Sequence, residues 1–462
     1  MSVETGGKSR RPNDLKGRRA LVLGYGRSGR AATSFISARG GSVRVIDRAD
    51  TPELRAELER AGIAARLGGY ATEDLEGADL LVVSPGVAWN DPVVEAARRR
   101  GIEVTSEIDL FFRACPSRIA GITGTNGKTT TTALTAEVLR AGGLRVMRGG
   151  NIGEPVLDRI DQLRPDDWVV LELSSFQLES ITRPRLHVGV VLNVTPDHLD
   201  RHKSFERYRD IKARAISFME PDDHAVLNVD DPACAAMRSQ TAGKVVAFGL
   251  HQPVDRGVTV IDGWVTIAQA GSQQRVLPAT EVPLPGEHNL SNVMAAVGAG
   301  QAAGVDVERM ADAVRTFKAV EHRLEPVGTF NGVRWYNDSK ATNPDSTYKA
   351  LAAFREPIIL IAGGRNKGIE IEPLARAIAG RVAALVTMGE TGEELARRAR
   401  DAGLQRVERA ADLSDAVRKA AALAPPGSVV LLSPGFTSYD MFHDYEDRGR
   451  RFKAAVFAEL RR

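Results

Sequence analysis

The chain has 462 residues, of which 43% are hydrophobic, 26% are charged and 5% are aromatic. This length exceeds what one compact core accommodates and predicts about two to four domains. Because 62 basic residues nearly balance 59 acidic residues, giving a net charge of +3, and because aromatic residues are few, the composition argues against a nucleic-acid partner.

The sequence has no feature typical of a secreted or membrane protein. Its two cysteines, Cys115 and Cys234, make no disulfide framework and have no metal-ligand spacing. No apolar stretch approaches the roughly 18 residues that a membrane span needs. Residues 1–14 are polar and are predicted to form a flexible tail rather than a signal peptide. We therefore expect a cytoplasmic protein that does not insert into membranes.

The first segment, residues 1–107, has the alternating pattern of a dinucleotide-binding fold. A strand over residues 19–23 leads into the glycine loop GYGRSG at residues 24–29, and a helix over residues 31–39 follows. A second strand ends at Asp47, where an acidic residue holds a ribose hydroxyl in NAD-binding folds. On these residues alone, an NAD site and a βα turn without a cofactor both remain open.

The second segment, residues 108–319, carries the most informative motif, GITGTNGKTT at residues 121–130. A strand pattern precedes the motif and a helix pattern follows it, so glycines and a helix N-terminus can surround a phosphate. The usual pattern has a glycine six residues before the lysine, where this chain has Ile122. The rest predicts an ATP site in which Lys128 contacts the terminal phosphates and Thr129 holds Mg²⁺. The loop residues expected at ATP are Gly124, Thr125, Asn126, Gly127, Lys128, Thr129 and Thr130.

Later strands of this segment end in polar side chains. Near-continuous apolar runs predict a parallel sheet covered on both faces, and ligands collect beyond the carboxyl ends of such strands. Glu172 at one strand end has the carboxylate that Mg²⁺ prefers. The alternative is that Glu172 is an exposed carboxylate without a metal. On the residues alone, His198 is more typical of a hydrogen-bonded or exposed histidine than of a metal ligand, and Lys212 is more typical of a solvated helix lysine. Asn289 and Asn292 lie around a helix start, where helix capping accounts for at least one of them and amide groups are also suited to reading a base edge.

The third segment, residues 320–462, repeats the strand-then-glycine pattern at residues 357–364, 383–389 and 428–435. We predict another doubly wound sheet, and hence three consecutive α/β domains. Lysine, hydroxyl and glycine residues in its loops suit carboxylate and phosphate oxygens. Three such loops are expected to share one anionic site: residues 337–344, 363–368 and 433–440.

Several motifs together resemble those of the Mur ligases, a family of ATP-dependent amino-acid ligases. The phosphate loop TGTNGKT at residues 123–129 is similar to the ATP loop of that family, which also shares the departure at Ile122. The other matching motifs are GGNIG at 149–153, ELSSFQLE at 172–179, DHLDR at 197–201, DSKATN at 338–343 and the closing residues 433–442. The resemblance covers the chain from about Leu15.

The resemblance implies an α/β fold with a Rossmann-like N-terminal domain, a central P-loop-type ATPase domain and a Rossmann-like C-terminal domain. It replaces NAD in the first glycine loop by a UDP-linked substrate. Within the family, the motifs favour addition of D-glutamate to UDP-N-acetylmuramoyl-L-alanine in peptidoglycan precursor synthesis. A sibling ligase with another amino acid, an NAD-binding oxidoreductase and a nucleotide-binding regulator are the alternatives. The implied partners are these small molecules and ATP, and a monomer is expected.

The resemblance also implies individual site residues. Those implied at the UDP-linked substrate are Gly26, Arg27, Ser28, Asp47, Arg48, Ser84, Gly86, Asn151 and Gln177. Those implied at ATP, besides the loop, are Asn292, Arg323 and Asp338. Those implied at D-glutamate are Lys340, Thr342, Lys367, Ser438 and Tyr439.

Two Mg²⁺ sites are implied, with Mn²⁺ as an alternative ion. Thr129 and Glu172 would hold the first, and Glu172, His198 and Lys212 the second. Lys212 would carry a carbamate derived from CO₂, which converts an ammonium that repels metal into an anion that binds it. The implied catalytic residues are Lys128, Glu172, His198 and Lys212.

Overall fold

The computed structural model describes residues 15–460 except residues 152, 154 and 270. The predicted flexible tail, residues 1–14, lies outside the described residues. The described part of the chain contains three β-sheets, as the three predicted α/β segments require. It separates into two compact units. The first extends to residue 259 and includes 266–275 and 295–310, and the second contains the rest. None of the described helices is both long enough and apolar enough to cross a membrane.

The first sheet lies in the first unit and has five parallel strands. Its strands are β1 (Arg19–Leu23), β2 (Ser42–Asp47), β3 (Ala64–Leu67), β4 (Leu80–Val83) and β5 (Glu103–Thr105). The accompanying helices are α1 (Arg27–Ala38), α2 (Pro52–Arg60), α3 (Pro92–Arg99) and α4 (Glu107–Ala114). In the order β3-β2-β1-β4-β5, the sequence in which strands are added to the sheet reverses between β1 and β4. The carboxyl ends of these two strands therefore flank the crevice in which such folds bind ligands.

The second sheet has nine strands. They are β6 (Arg118–Thr123), β7 (Val146–Gly150), β8 (Trp168–Glu172), β9 (Val188–Val191), β10 (His224–Asn228), β11 (Lys244–Phe248), β12 (Gly257–Ile261), β13 (Trp264–Gln269) and β14 (Ser272–Pro278). Its helices are α5 (Lys128–Ala141), α6 (Ser175–Ser180), α7 (Leu199–His202), α8 (Phe205–Ser217), α9 (Pro232–Ala236), α10 (Glu287–Ala302) and α11 (Val307–Arg315). The order is β14-β13-β12-β11-β10-β9-β6-β8-β7. Because β6 lies between β8 and β9, the residues after those two strands flank the phosphate loop.

The third sheet lies in the second unit and has six strands. They are β15 (Glu325–Phe330), β16 (Val333–Asn337), β17 (Ile358–Ala362), β18 (Ala384–Thr387), β19 (Val407–Arg409) and β20 (Val429–Leu432). Its helices are α12 (Pro344–Ala352), α13 (Ile371–Ala379), α14 (Gly392–Asp401), α15 (Leu413–Leu423) and α16 (Tyr445–Leu460). The order is β15-β16-β20-β17-β18-β19.

The third sheet is mixed rather than wholly parallel, because the predicted doubly wound sheet has an antiparallel strand at one edge. Strand β15 runs antiparallel to β16, whereas the other neighbouring pairs are parallel. The cause is the two-residue turn Asn331-Gly332, in which φ is 49° and 75°. An Asn-Gly pair with both φ values positive is typical of a tight hairpin.

Candidate active site

The phosphate loop lies between β6 and α5 and depends on two glycines with positive φ. The φ angle is 156° at Gly124 and 86° at Gly127, and a Cβ on Gly124 would lie 2.9 Å from the Cβ of Leu192. Helix α5 begins at Lys128, three residues before the predicted start. The first backbone N–H groups of a helix have no partner within it. The start of α5, at residues 128–130, is therefore suited to an anion.

Asn193, which follows β9, holds this loop by three hydrogen bonds. Its Oδ1 accepts from Asn126 N at 2.8 Å, and its Nδ2 donates to Asn126 O at 3.0 Å. Its backbone carbonyl accepts from Thr125 N at 2.9 Å. Asn193 was not among the predicted site residues. The available signal was an amide at the end of a strand that neighbours the loop strand.

Two lysines meet at one carbonyl oxygen of the loop. Lys128 Nζ donates to Gly124 O at 3.0 Å and to Thr125 O at 2.7 Å, and Lys212 Nζ donates to the same Gly124 O at 2.8 Å. Lys212 is only 1% exposed, so it is not a solvated lysine. Burial, followed by repulsion from Lys128, lowers the pKa of Lys212 well below that of an ordinary lysine. A second lysine amine, that of Lys212, thus contacts the loop, and its protonated form is disfavoured.

Glu172 ends β8 as a buried carboxylate, 2% exposed, rather than an exposed one. The sheet register places it beside Ile122 of β6 and Gly150 of β7. Asn151 Nδ2 donates to Glu172 Oε1 at 3.1 Å, and Asn151 N donates to Glu172 O at 2.8 Å. A residue predicted at the substrate and a residue predicted at the metal are therefore hydrogen-bonded to each other.

His198 immediately precedes α7, and its side chain is 46% exposed. Its ring centroid lies 5.0 Å from that of Phe176, and its Nε2 lies 3.7 Å from Asp197 Oδ2. The φ angle is 53° at His198 and 71° at Lys203, so both flanks of α7 are left-handed. Non-glycine residues adopt this conformation rarely, and they recur at functional sites.

The donor set fits Mg²⁺ in part. The Glu172 carboxylate and the Thr129 hydroxyl are the oxygen ligands that Mg²⁺ prefers, and both residues are buried beside the loop. Lys212 does not fit in its unmodified form, because its ammonium offers only donors and its neutral amine is not one of the oxygen ligands that Mg²⁺ prefers. A second metal that includes Lys212 requires a chemical change at its amine.

Seven of the nine residues implied at the UDP-linked substrate line one cavity of about 430 Å³ in the first unit. They are Gly26, Arg27, Ser28, Asp47, Arg48, Ser84 and Gly86. Tyr70 lines the same cavity and was not predicted. The Arg48 guanidinium lies 4.5 Å from the centroid of the Tyr70 ring, which holds this cation at the rim.

The side chains of Asp47 and Ser84 hold the first glycine loop in place. Asp47 accepts hydrogen bonds from Tyr25 N at 2.5 Å and from Ala49 N at 2.8 Å. Ser84 Oγ donates to Gly24 O at 2.6 Å. The acidic residue that the NAD pattern assigns to a ribose is therefore already bonded to the backbone.

Gln177 and Asn151 do not line this cavity. Gln177 lies in a smaller neighbouring cleft with Ser84, Phe176 and Arg201. Its Oε1 accepts from Ser174 N at 3.1 Å, which completes a capping box at the start of α6. Gln177 thus has a structural role besides the predicted substrate contact.

The predicted ATP residues of the second unit lie in two places. Asn292 Nδ2 donates to Asn289 Oδ1 at 3.2 Å, and both asparagines lie inside α10 rather than at its N-cap, so the capping alternative is wrong. Asp338 follows β16, is buried and accepts from Ser433 Oγ at 2.9 Å. Burial raises the pKa of Asp338 to about 6, opposed by the charge of Arg323.

The residues predicted at D-glutamate follow three neighbouring strands. Lys340 and Thr342 follow β16, Lys367 follows β17, and Ser438 and Tyr439 follow β20. Because β16, β20 and β17 are adjacent and parallel, their carboxyl ends meet at one edge of the sheet. Ser438 is buried, whereas Lys367 and Tyr439 are exposed.

Arg448 of α16 joins two of these loops and was not predicted. The side chain is fully buried, and it donates to Ser339 O at 2.8 Å and to Phe436 O at 3.2 Å. Burial lowers the pKa of Arg448 to about 10, and the charges of Asp440 and Asp338 oppose that effect. In the sequence, Arg448 lies in a helix with many charged residues. No local pattern there indicates that its side chain is buried.

Three Mur ligase domains match the chain in order. Residues 18–106 match the Mur ligase MurD-like N-terminal domain. Residues 122–300 match the Mur ligase middle domain, and residues 322–436 match the Mur ligase glutamate ligase domain. The predicted architecture of three consecutive α/β domains is therefore confirmed. The predicted bounds 1–107, 108–319 and 320–462 stay a prediction.

Individual relatives are similar over almost their whole length. A UDP-N-acetylmuramoylalanine--D-glutamate ligase from Pelotomaculum thermopropionicum is 43% identical, over 96% of this chain and 98% of the relative. An enzyme of the same name from Thermoanaerobacter sp. is 40% identical, over 97% of this chain and 100% of the relative. A solved structure of MurF from Acinetobacter baumannii gives a TM-score of 0.61 at 16% identity, covering 96% of this chain and 92% of that one, and supports the fold alone. Because the two relatives share at least 40% of their residues with this chain along nearly its full length, the chain belongs to the Mur ligase family.

Proposed function

We propose that this chain catalyses the ATP-dependent addition of D-glutamate to UDP-N-acetylmuramoyl-L-alanine, a step in peptidoglycan precursor synthesis. The observation that carries the proposal is the 43% identity, over almost the full length, to a relative whose name states this ligation. Mur ligases use ATP and Mg²⁺, and the buried carboxylate and hydroxyl beside the phosphate loop accord with both. The expected monomeric state and cytoplasmic location stay predictions.

The proposed reaction has two steps. In the first, an oxygen of the L-alanyl carboxylate attacks the γ-phosphorus of ATP, and the bond from that phosphorus to the bridging oxygen breaks. The products of this step are an acyl phosphate and ADP. In the second, the amine of D-glutamate attacks the acyl carbon and loses a proton, and the carbon–oxygen bond to phosphate breaks. ATP is needed because a free carboxylate is a poor acylating agent, whereas an acyl phosphate has a good leaving group.

In this proposal the phosphate loop binds the triphosphate, and Lys128 compensates charge at the γ-phosphate. Its ammonium already lies at the loop, bonded to two loop carbonyls. Positioning and charge compensation are the main contributions that a protein makes to phosphoryl transfer. Thr129 and Glu172 would hold Mg²⁺, which supplies further charge neutralisation when bound. Asn292, Arg323 and Asp338 stay predicted ATP contacts.

We further infer that Lys212 acts as a carbamate. Carbamylation requires a neutral amine to attack CO₂, and burial lowers the pKa of Lys212 in the required direction. The product is an anion that replaces the repulsion from Lys128 by attraction and offers oxygen ligands to a metal. Glu172, His198 and carbamylated Lys212 would then hold a second Mg²⁺ or Mn²⁺.

The UDP end of the substrate is assigned to the cavity lined by Arg27 and Arg48, whose charges suit a diphosphate. Asn151 and Gln177 would contact the muramoyl-alanine portion. The D-glutamate residues are assigned to the third sheet, where Lys340, Thr342, Lys367, Ser438 and Tyr439 follow adjacent strands. The contact of each of these residues with its substrate is a prediction.

The first test is phosphate release from ATP and Mg²⁺ with UDP-N-acetylmuramoyl-L-alanine, comparing D-glutamate with L-glutamate, L-alanine and meso-diaminopimelate. We expect release only with D-glutamate and a product heavier by one glutamyl residue, measured by mass spectrometry. Release with a different amino acid would move the chain to a sibling ligase. No release with any amino acid, together with a fluorescence change of NADH on addition of the protein, would favour an NAD site instead.

A further inference from the structure

His202 is a buried histidine to which the proposed reaction assigns no role. Its side chain is 0% exposed, and its Nε2 lies 2.9 Å from Ser175 Oγ. Its Nδ1 is buried and has no hydrogen-bond partner among the described residues. Burial lowers the pKa of His202. The ring therefore lies in the protein interior, bonded through one nitrogen.

The ring packs on two aromatic side chains from different elements. Its centroid lies 5.4 Å from that of Phe176, with an interplanar angle of 26°. It also lies 5.4 Å from that of Tyr208, with an angle of 41°. Both distances are those of favourable aromatic pairs. His202 thus joins the start of α6 to the first turns of α8.

The contact with α6 reaches the segment that carries Glu172. Ser175, which bonds His202, and Phe176, which stacks on it, follow Glu172 by three and four residues. The backbone between them contains the Ser174 N-cap of α6. A displacement of the His202 ring would therefore act on the strand end that positions the Glu172 carboxylate.

The contact with α8 reaches Lys212. Tyr208 lies one helical turn before Lys212, and Lys212 Nζ lies 4.6 Å from the centroid of the Tyr208 ring. The Tyr208 hydroxyl lies 3.3 Å from Thr125 Oγ1 of the phosphate loop. One aromatic ring therefore separates His202 from both the Lys212 amine and the loop.

His202 also anchors the segment of His198, which it follows by four residues. Helix α7 has only four residues, too few to be stable in isolation. Leu199 of this helix is 41% exposed and Arg201 is half-buried. Among the described side chains of α7, His202 is the buried one, and with Arg201, which lies 4.1 Å from the centroid of the Phe176 ring, it holds α7 and the histidine at its start against the body of the domain.

We propose that His202 is a positioning residue that fixes Glu172, His198 and Lys212 relative to one another and so sets the affinity of the second metal site. The inference rests on the proposed function, which supplies the three ligands. Each of the three ligands lies on a segment that His202 contacts or to which His202 belongs. Residues that orient metal ligands from behind typically change metal affinity by 10- to 100-fold when replaced.

The test is Mn²⁺ binding to the full-length protein in the presence of ADP, measured by the electron paramagnetic resonance signal of free Mn²⁺, together with the Mg²⁺ dependence of phosphate release. For His202→Leu we expect roughly 10-fold weaker Mn²⁺ binding and a similar rise in the Mg²⁺ concentration for half-maximal rate. The KM for ATP at saturating Mg²⁺ should stay within about 2-fold, because the phosphate loop is intact. A general loss of structure would move both.

Two milder variants separate the contributions. Ser175→Ala removes the hydrogen bond and keeps the stacked rings, and His202→Gln keeps an amide N–H that can reach Ser175. We expect Ser175→Ala to weaken Mn²⁺ binding about 3-fold and His202→Gln to restore part of what His202→Leu loses. If His202→Leu does not fold, these two variants test the positioning role of His202 in its place. The control is His187→Leu at the opposite end of β9, where Nδ1 accepts from Ile119 N, and it should leave Mn²⁺ binding unchanged.

The inference is overturned if the folded His202 variants bind Mn²⁺ as the wild type does. It is also overturned if His187→Leu weakens binding equally, since the effect would then not be local. A wild-type protein that neither binds Mn²⁺ nor releases phosphate with D-glutamate would instead refute the proposed function, and the two failures are thus distinct.

Discussion

The two glycine loops of the first unit share the same strand–loop–helix order and differ in the side chains that reach them. Each follows a parallel strand and leads into a helix, α1 at Arg27 and α5 at Lys128. At the first loop, Asp47 and Ser84 bond the backbone, and arginines line an adjoining cavity. At the second loop, two lysine amines meet at the Gly124 carbonyl.

A glycine pattern therefore predicts a phosphate-binding turn but not the ligand of that turn. The first loop satisfies the dinucleotide pattern, yet its acidic residue is engaged by backbone N–H groups. The second departs from the usual pattern at Ile122, yet it has the lysine and the helix start that a triphosphate needs. The side chains supplied by neighbouring strands and helices are therefore the better guide to chemistry.

The largest effect is expected at the second loop. Lys128→Ala should lower the rate of phosphate release by at least about 10³-fold, because the charge at the transferred phosphate is lost. The melting temperature should stay close to that of the wild type. The control is Lys244→Ala, an exposed lysine paired with Asp222, which should be fully active. Normal activity of Lys128→Ala would remove the distinction between the two loops.

The second lysine of the same loop should be nearly as important. Lys212→Ala should lower turnover by about 10²-fold, because the proposed carbamate is lost with the amine. Short carboxylic acids added to the assay should restore part of the rate by supplying an anion in the same space. Full activity without rescue would mean that only one lysine distinguishes this loop.

A smaller effect is expected from packing at the first loop. A Cβ on Gly29 would lie 2.1 Å from Gly24 O, whereas a Cβ on Gly26 would meet nothing within 4 Å. We expect Gly29→Ala to destabilise the first unit by about 1–3 kcal/mol, seen as a lower first transition in thermal unfolding. Gly26→Ala is the matched control. Equal stability of the two variants would mean that the loop tolerates a wider approach of α1 to β1.

The smallest effect is expected at the rim of the first cavity. Arg48→Ala should raise the KM for the UDP-linked substrate roughly 10-fold, about 1.4 kcal/mol, and leave the KM for ATP unchanged. Arg98→Ala is the control, since Arg98 lies 5.2 Å from the Trp89 ring in a similar stack and does not line the cavity. A change in the KM for ATP instead would mean that the two loops do not have separate ligands.

Features set by local sequence were predicted well. Strand β1 has the predicted bounds, and the helix after the phosphate loop ends where Gly142 follows. Both depend on short-range rules, namely apolar runs for buried strands and glycines for turns. The gathering of the strand-end residues followed from parallel topology alone.

Features set by tertiary packing were not predictable in the same way. The burial of Lys212 depends on which face of α8 packs inward, and Tyr208 and Ile211 share that face. The clamp by Asn193 depends on β9 lying beside β6. Strands β12 to β14 were missed, although Asp262-Gly263, with φ of 51° and 78°, has the hairpin signature that Asn331-Gly332 also has.

The hydrogen bond between Asn151 and Glu172 has a thermodynamic consequence. If Asn151 contacts the UDP-linked substrate as proposed, substrate binding alters the partner of a metal carboxylate. Linkage then requires reciprocity: the factor by which the substrate changes Mg²⁺ affinity equals the factor by which Mg²⁺ changes substrate affinity. One amide would in this way couple the binding of the substrate to the binding of the metal.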